Sequence, residues 1–113
     1  MLTIETLRAF GADPEEGVSR CMGNEGFYLR MVRLGYADAN FEALSAAVER
    51  NDLDAAFEAA HALKGVLANL SLTSVCEPVS ALTEQLRRRE QGDYRPQVEQ
   101  ILSLRDALRA LDD

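Results

Sequence analysis

Apolar residues in this chain recur every three or four positions, in runs separated by short polar breaks, and that period leaves helices as the way to bury them. The clearest run is Leu53, Ala56, Ala60, Leu63, Leu67 and Leu70, which falls on one side of a helix at about 100° per residue. Ala, Leu, Glu and Arg are abundant and only 7 positions are glycine, so local propensity agrees with the period. With 113 residues, 47% of them hydrophobic, there is room for one hydrophobic core, and residues 1–113 are read as a single domain.

Capping residues divide the chain into six expected helices. Leu2, Ile4, Leu7 and Phe10 mark a short first helix that Gly11 ends. Asp13-Pro14-Glu15-Glu16 reads as an N-cap, a proline at the first helical position and a glutamate placed to complete a capping box, in a helix that stops near Gly23. Asn24 caps a long third helix in which Phe27, Met31, Leu34, Phe41, Leu44 and Val48 recur up to Asn51, with Gly35 permitting a bend. Asp52 caps the fourth helix, which runs to about Ser71. Thr73, Ser74 and Glu77 signal a fifth, with Val75, Val79, Leu82 and Leu86 as its stripe and Pro78 near its first turn. Beyond Gly92-Asp93, the residues Val98, Ile101, Leu104, Leu108 and Leu111 mark the last. Four long helices with short connections predict an all-α fold: an up-down-up-down antiparallel four-helix bundle over residues 24–112, with residues 1–23 as one or two short N-terminal helices packed on it.

Composition removes several classes of function. A net charge of −7 repels phosphate backbones, so Arg87-Arg88-Arg89 reads as a solvated helix end and no nucleic acid is expected as a partner. Cys21 and Cys76 are far apart and lack a zinc or redox spacing, which makes them buried free thiols. Asp54 and Glu58 read as solvated surface charges, because one histidine with scattered carboxylates is no transition-metal set. Phe27, Tyr28 and Phe41 read as core or near-core. The chain start has no basic region followed by an apolar run. No segment approaches the roughly 18 uninterrupted apolar residues of a spanning helix, so a soluble, cytoplasmic protein without membrane attachment is expected.

What remains is chemical. The chain has one histidine, His61, and it lies roughly 145° from the middle of the apolar stripe of its helix, on the wet side. A neutral imidazole with a reference pKa near 6.5 is a good nucleophile toward phosphorus. Lys64, one turn on, is placed to offset the charge of a phosphoryl group on that ring. Gly65 presents no side chain beside it, which leaves room for a second protein to bring up its own reactive group. Phe57, one turn before, Ala68 and Leu72, three turns after, supply a modest apolar patch for docking.

The run His61-Ala62-Leu63-Lys64-Gly65-Val66-Leu67-Ala68-Asn69-Leu70-Ser71 resembles the signature of the histidine-containing phosphotransfer (HPt) family: histidine, any residue, leucine, lysine and glycine, then small and apolar residues on a bundle helix. The resemblance extends over most of residues 24–91, with the aromatic and apolar spacing from Phe27 through Ala60. It implies that His61 carries the phosphoryl group, with Lys64 and Gly65 in the supporting roles above. It also implies a carrier rather than an ATP-using kinase, which accords with the lack of a glycine-rich nucleotide loop. Implied partners are the receiver domains of response regulators and a hybrid sensor histidine kinase. Implied too are Mg²⁺ on the receiver, no cofactor on this chain, and a monomer. One departure stands out, because family members commonly have glycine where this chain has Ser71. The competing reading of the same residues is an HPt-like docking module without phosphotransfer.

Overall fold

In the computed structural model, which describes residues 1–113, seven helices follow one another: α1 (Ile4–Phe10), α2 (Pro14–Arg20), α3 (Glu25–Tyr36), α4 (Asn40–Glu49), α5 (Leu53–Asn69), α6 (Thr73–Arg87) and α7 (Arg95–Ala110). Side-chain caps set most of the starts by accepting a first-turn backbone N–H: Thr3 from Thr6, Asp13 from Glu16, Asn24 from Phe27 and Asp52 from Ala55. Glu16 does not close a capping box with Asp13; its carboxylate accepts from Ser71 and pairs with Arg20 instead. α6 and α7 begin without a side-chain cap. Thr73 and Ser74 therefore lie inside α6, and Pro78 falls in its second turn rather than its first.

The expected third helix is two helices. Its continuity breaks at Ala37-Asp38-Ala39, where the Asp38 carboxylate accepts from the Asn40 N–H at 2.8 Å and the Asp38 carbonyl accepts from the Phe41 N–H at 3.3 Å. An aspartate bonding the backbone two residues on offers the chain a turn in place of a helix. Gly35 remains within α3, and a Cβ there would lie 2.7 Å from Leu70 Cδ1. Its role is close packing on the end of α5, not a bend. The buried face of α3 is also shifted from the expected stripe. Tyr28, Val32 and Gly35 are buried, whereas Phe27 and Leu34 are 42% and 61% exposed.

Neighbouring pairs α4/α5, α5/α6, α6/α7 and α7/α4 close a ring around the core, in which Phe41, Leu44, Leu63, Leu67, Val79, Leu82, Leu86, Ile101 and Leu108 are fully buried. Helix α3 packs on this ring against α7, and its Tyr28 and Val32 belong to the same core. Asp112 fastens that arrangement by accepting from Arg33 Nε and the Tyr36 hydroxyl, both at 2.8 Å, and from the Leu2 N–H at 3.3 Å. Those donors, Arg33 foremost, hold its carboxyl down at about 2. Cys21 and Cys76 are free thiols but only half-buried.

Helices α2 and α3 close the C-terminal end of α5. After Leu70 the chain turns through Ser71 in the left-handed region, φ 54°, and the Leu72 and Ser71 N–H groups return to the Leu67 and Ala68 carbonyls at 3.0 and 3.1 Å. Arg20 of α2 donates to the Ala68 and Asn69 carbonyls and to Ser71 Oγ, placing a cation on the negative end of the helix dipole. The Asp13 N–H donates to the Ser71 carbonyl at 2.8 Å, and the Tyr28 hydroxyl donates to the Leu70 carbonyl at 2.8 Å. The Tyr28 ring lies so close to α2 that a Cβ on Gly17 would stand 2.2 Å from its Cε1. Burial pushes that phenol up to about 12.

Candidate functional site

Helix α5 owes its position to the face opposite the site: Ala56, Ala59, Ala60, Leu63 and Leu67 are buried against α4 and α6, which leaves the other side of the same helix to solvent. His61, Ala62, Gly65, Ala68 and Asn69 are all exposed there. The imidazole forms no hydrogen bond within the chain and is therefore available to a partner. A Cβ on Gly65 would meet nothing within 4 Å. The surface beside His61 is open.

Toward α6 the site acquires charge and an aromatic floor. The half-buried Phe57 ring lies 5.5 Å from the imidazole, centroid to centroid and tilted by 32°. Over the same phenyl ring stand two guanidinium groups, Arg87 at 5.1 Å and Arg89 at 5.3 Å from its centroid. Such contacts stabilise each partner modestly and hold the cations close to the ring face. Arg89 also pairs with Asp54 at 2.7 Å, and Arg87 pairs with Glu84 at 3.3 Å. Lys64 is half-buried, with its ammonium 4.0 Å from the same Glu84 oxygen. A chain of net charge −7 thus gathers Lys64, Arg87 and Arg89 along one flank of its single imidazole.

The structure brings together His61, Phe57, Lys64, Gly65 and Ala68, all on α5. Leu72 does not join them. It lies beyond the end of α5, in the position before α6, and is fully buried in the core. Because α5 stops at Asn69, Leu72 does not continue its outer face and offers no docking surface. Arg87 and Arg89, in contrast, are more than the solvated helix end expected from sequence: both lie over Phe57, in the neighbourhood of the site. The chain held a signal for them: α5 and α6 fold back on each other, and Phe57 and Arg87 stand equally far from Leu72 along the sequence. No group of three or more His, Cys, Asp or Glu side chains is placed to hold a metal ion. No helix is long and apolar enough to cross a membrane.

A family model described as Hpt domain matches residues 33–113, from the last turn of α3 to the end of the chain, and so takes in His61, Lys64, Gly65 and both arginines. No curated protein and no solved structure matches the chain.

Proposed function

The chain belongs to the Hpt domain family, which serves histidine phosphotransfer in phosphorelay signalling, and from that premise we propose that His61 is the residue that carries the phosphoryl group. The observation that carries the assignment is the setting of the chain's one histidine: exposed, free of internal hydrogen bonds, and next to a glycine over which there is open space. A ring nitrogen attacks the phosphorus of a receiver's aspartyl phosphate in line. The new P–N bond forms as the P–O bond to the aspartyl carboxylate breaks, and that carboxylate leaves with the electron pair. Passage to a second receiver reverses these roles. Mg²⁺, expected on the receiver, would supply counter-charge for the phosphoryl group there. On this chain Lys64 supplies a nearby cation, and Gly65 lets the acyl phosphate approach.

The bundle helices are taken to run up-down-up-down, since the connections between α4, α5 and α6 are only a few residues long. Phe57 and Ala68 serve as docking contacts around the imidazole. The protein is then a monomeric cytoplasmic carrier whose upstream source is a hybrid sensor kinase or its receiver.

The test is transfer from a phosphorylated receiver to the purified chain. An acid-labile label is expected on the wild type and none on His61→Gln, with thermal stability unchanged within about 0.5 kcal/mol because the replaced side chain is exposed. Binding without any label would instead identify a docking module.

A further inference from the structure

Two of the three cations beside the site, Lys64 on α5 and Arg87 on α6, are held by one carboxylate. Glu84 Oε2 lies 4.0 Å from the Lys64 ammonium and 3.3 Å from Arg87 Nε. The fold asks little else of Glu84. Its side chain is 47% exposed, it caps no helix, and its only partners are these two cations.

We propose that Glu84 is a positioning residue: it holds Lys64 while His61 is unmodified and yields it when a phosphoryl group arrives, and in doing so it shortens the life of the phosphohistidine. This rests on the reading of His61 as the phosphoryl carrier. The two anions compete on unequal terms. Glu84 offers one carboxylate at the limit of ion-pairing distance, half in solvent, where such pairs are weak. A phosphoryl group brings a charge of about −1.5 to −2 and three acceptor oxygens, one helical turn from Lys64. Lys64 is suited to the exchange because its ammonium is a compact charge on a flexible stem. Arg87 is one turn from Glu84 on α6 and also rests on Phe57, so it stays with the carboxylate after Lys64 leaves. Glu84 is then never left unpaired. It keeps its pull on Lys64 throughout, however, and whenever Lys64 returns to it the phosphoryl group loses its counter-charge.

The full chain can be labelled without any partner by phosphoramidate. Its P–N bond breaks and ammonia departs with the electron pair as the His61 ring nitrogen forms the new P–N bond. After removal of the donor, phosphorus NMR follows hydrolysis, in which water attacks phosphorus and the bonding pair returns to the ring. Glu84→Gln is expected to slow that loss by about two- to fivefold, the factor appropriate to an exposed ion pair. Lys64→Ala should accelerate it, and in the Lys64→Ala background Glu84→Gln should have no further effect. The proposal is overturned if Glu84→Gln leaves the decay unchanged, or if it slows decay equally without Lys64, which would mean direct repulsion by the carboxylate. A wild-type chain that takes no label from phosphoramidate or from any receiver would overturn the His61 assignment itself, a different result from an insensitive Glu84 variant.

Discussion

Near the C-terminal end of α5 a Cβ added at Gly17 or Gly35 would strike Tyr28 or Leu70, at 2.2 and 2.7 Å, whereas on the outer face of the same helix a Cβ at Gly65 would meet nothing within 4 Å. In the first region glycine is a demand of packing, since the ring of Tyr28 and the methyl of Leu70 fill the space a side chain would need. In the second the fold makes no such demand. A glycine inside a helix costs about 1 kcal/mol relative to alanine. Gly65 therefore weakens α5 with no packing return inside the molecule, as the proposed approach of a receiver to His61 would require. The bound end supports the helix; the bare face is what the support presents.

The sharpest way to break this contrast is Gly17→Ala. Its methyl has to displace Tyr28, and overpacking of that kind costs roughly 1–3 kcal/mol or more, which thermal unfolding followed by circular dichroism reads as a fall of roughly 4 °C or more. A variant as stable as the wild type would remove the packing argument. Tyr28→Phe comes next, at about 1–2 kcal/mol, because it leaves the buried Leu70 carbonyl without its 2.8 Å donor.

That substitution also has a signature in pH. The phenol is held at about 12 in the fold against an ordinary 10.0. Between those values the unfolded chain gives up the proton first. The contribution of Tyr28 is therefore complete below pH 10 and lost as the pH rises toward 12; because the Tyr36 and Tyr94 phenols are also pushed up, denaturant titrations should show a steeper decline in the wild type than in Tyr28→Phe.

On the bare face the expected sign reverses. Gly65→Ala should raise stability by about 0.5–1 kcal/mol in the same unfolding experiment, and Gly65→Leu should slow transfer from a phosphorylated receiver while the helix stays intact. A Gly65→Ala chain that is destabilised would show that the two regions are not so different. The smallest effect is expected at Ser71→Gly. Relief of the left-handed backbone at φ 54°, about 1 kcal/mol, opposes the loss of hydroxyl bonds to Glu16 and Arg20, so the midpoint should move little.

This position also shows how sequence and structure relate. A glycine is the least strained residue where α5 ends, and the serine found there is retained by a polar contact to α2 that no local pattern announces. The stripe of α5 is legible because Ala56, Ala60, Leu63 and Leu67, at helical spacing, share one buried face. α3 misled because Phe27 and Leu34 have helical spacing yet face solvent, while the true inner face uses Tyr28, held by its hydroxyl, and Gly35, whose value is the lack of a side chain. The break after α3 carries neither glycine nor proline. Its one local mark is Asp38, an aspartate set to bond the backbone ahead of it. That His61, Lys64 and Gly65 lie within one turn of each other on a single helix is readable from their spacing. Glu84 and Arg87 come from the next helix and Arg89 from just beyond its end, and their nearness to α5 follows only from how the two helices fold back on each other.

Of the three tyrosines, in a chain without tryptophan, each spends its hydroxyl on a different joint: Tyr28 on the Leu70 carbonyl at the end of α5, Tyr36 on Asp112 near the chain end, and Tyr94 on the Glu90 carbonyl between α6 and α7. None stands on the imidazole face. The tyrosine band of the near-ultraviolet dichroism consequently belongs to the seams, whereas the phenylalanine fine structure at shorter wavelength includes Phe57 beside the imidazole, so a tyrosine band unchanged by chemical modification of His61 reports that the scaffold survived the modification.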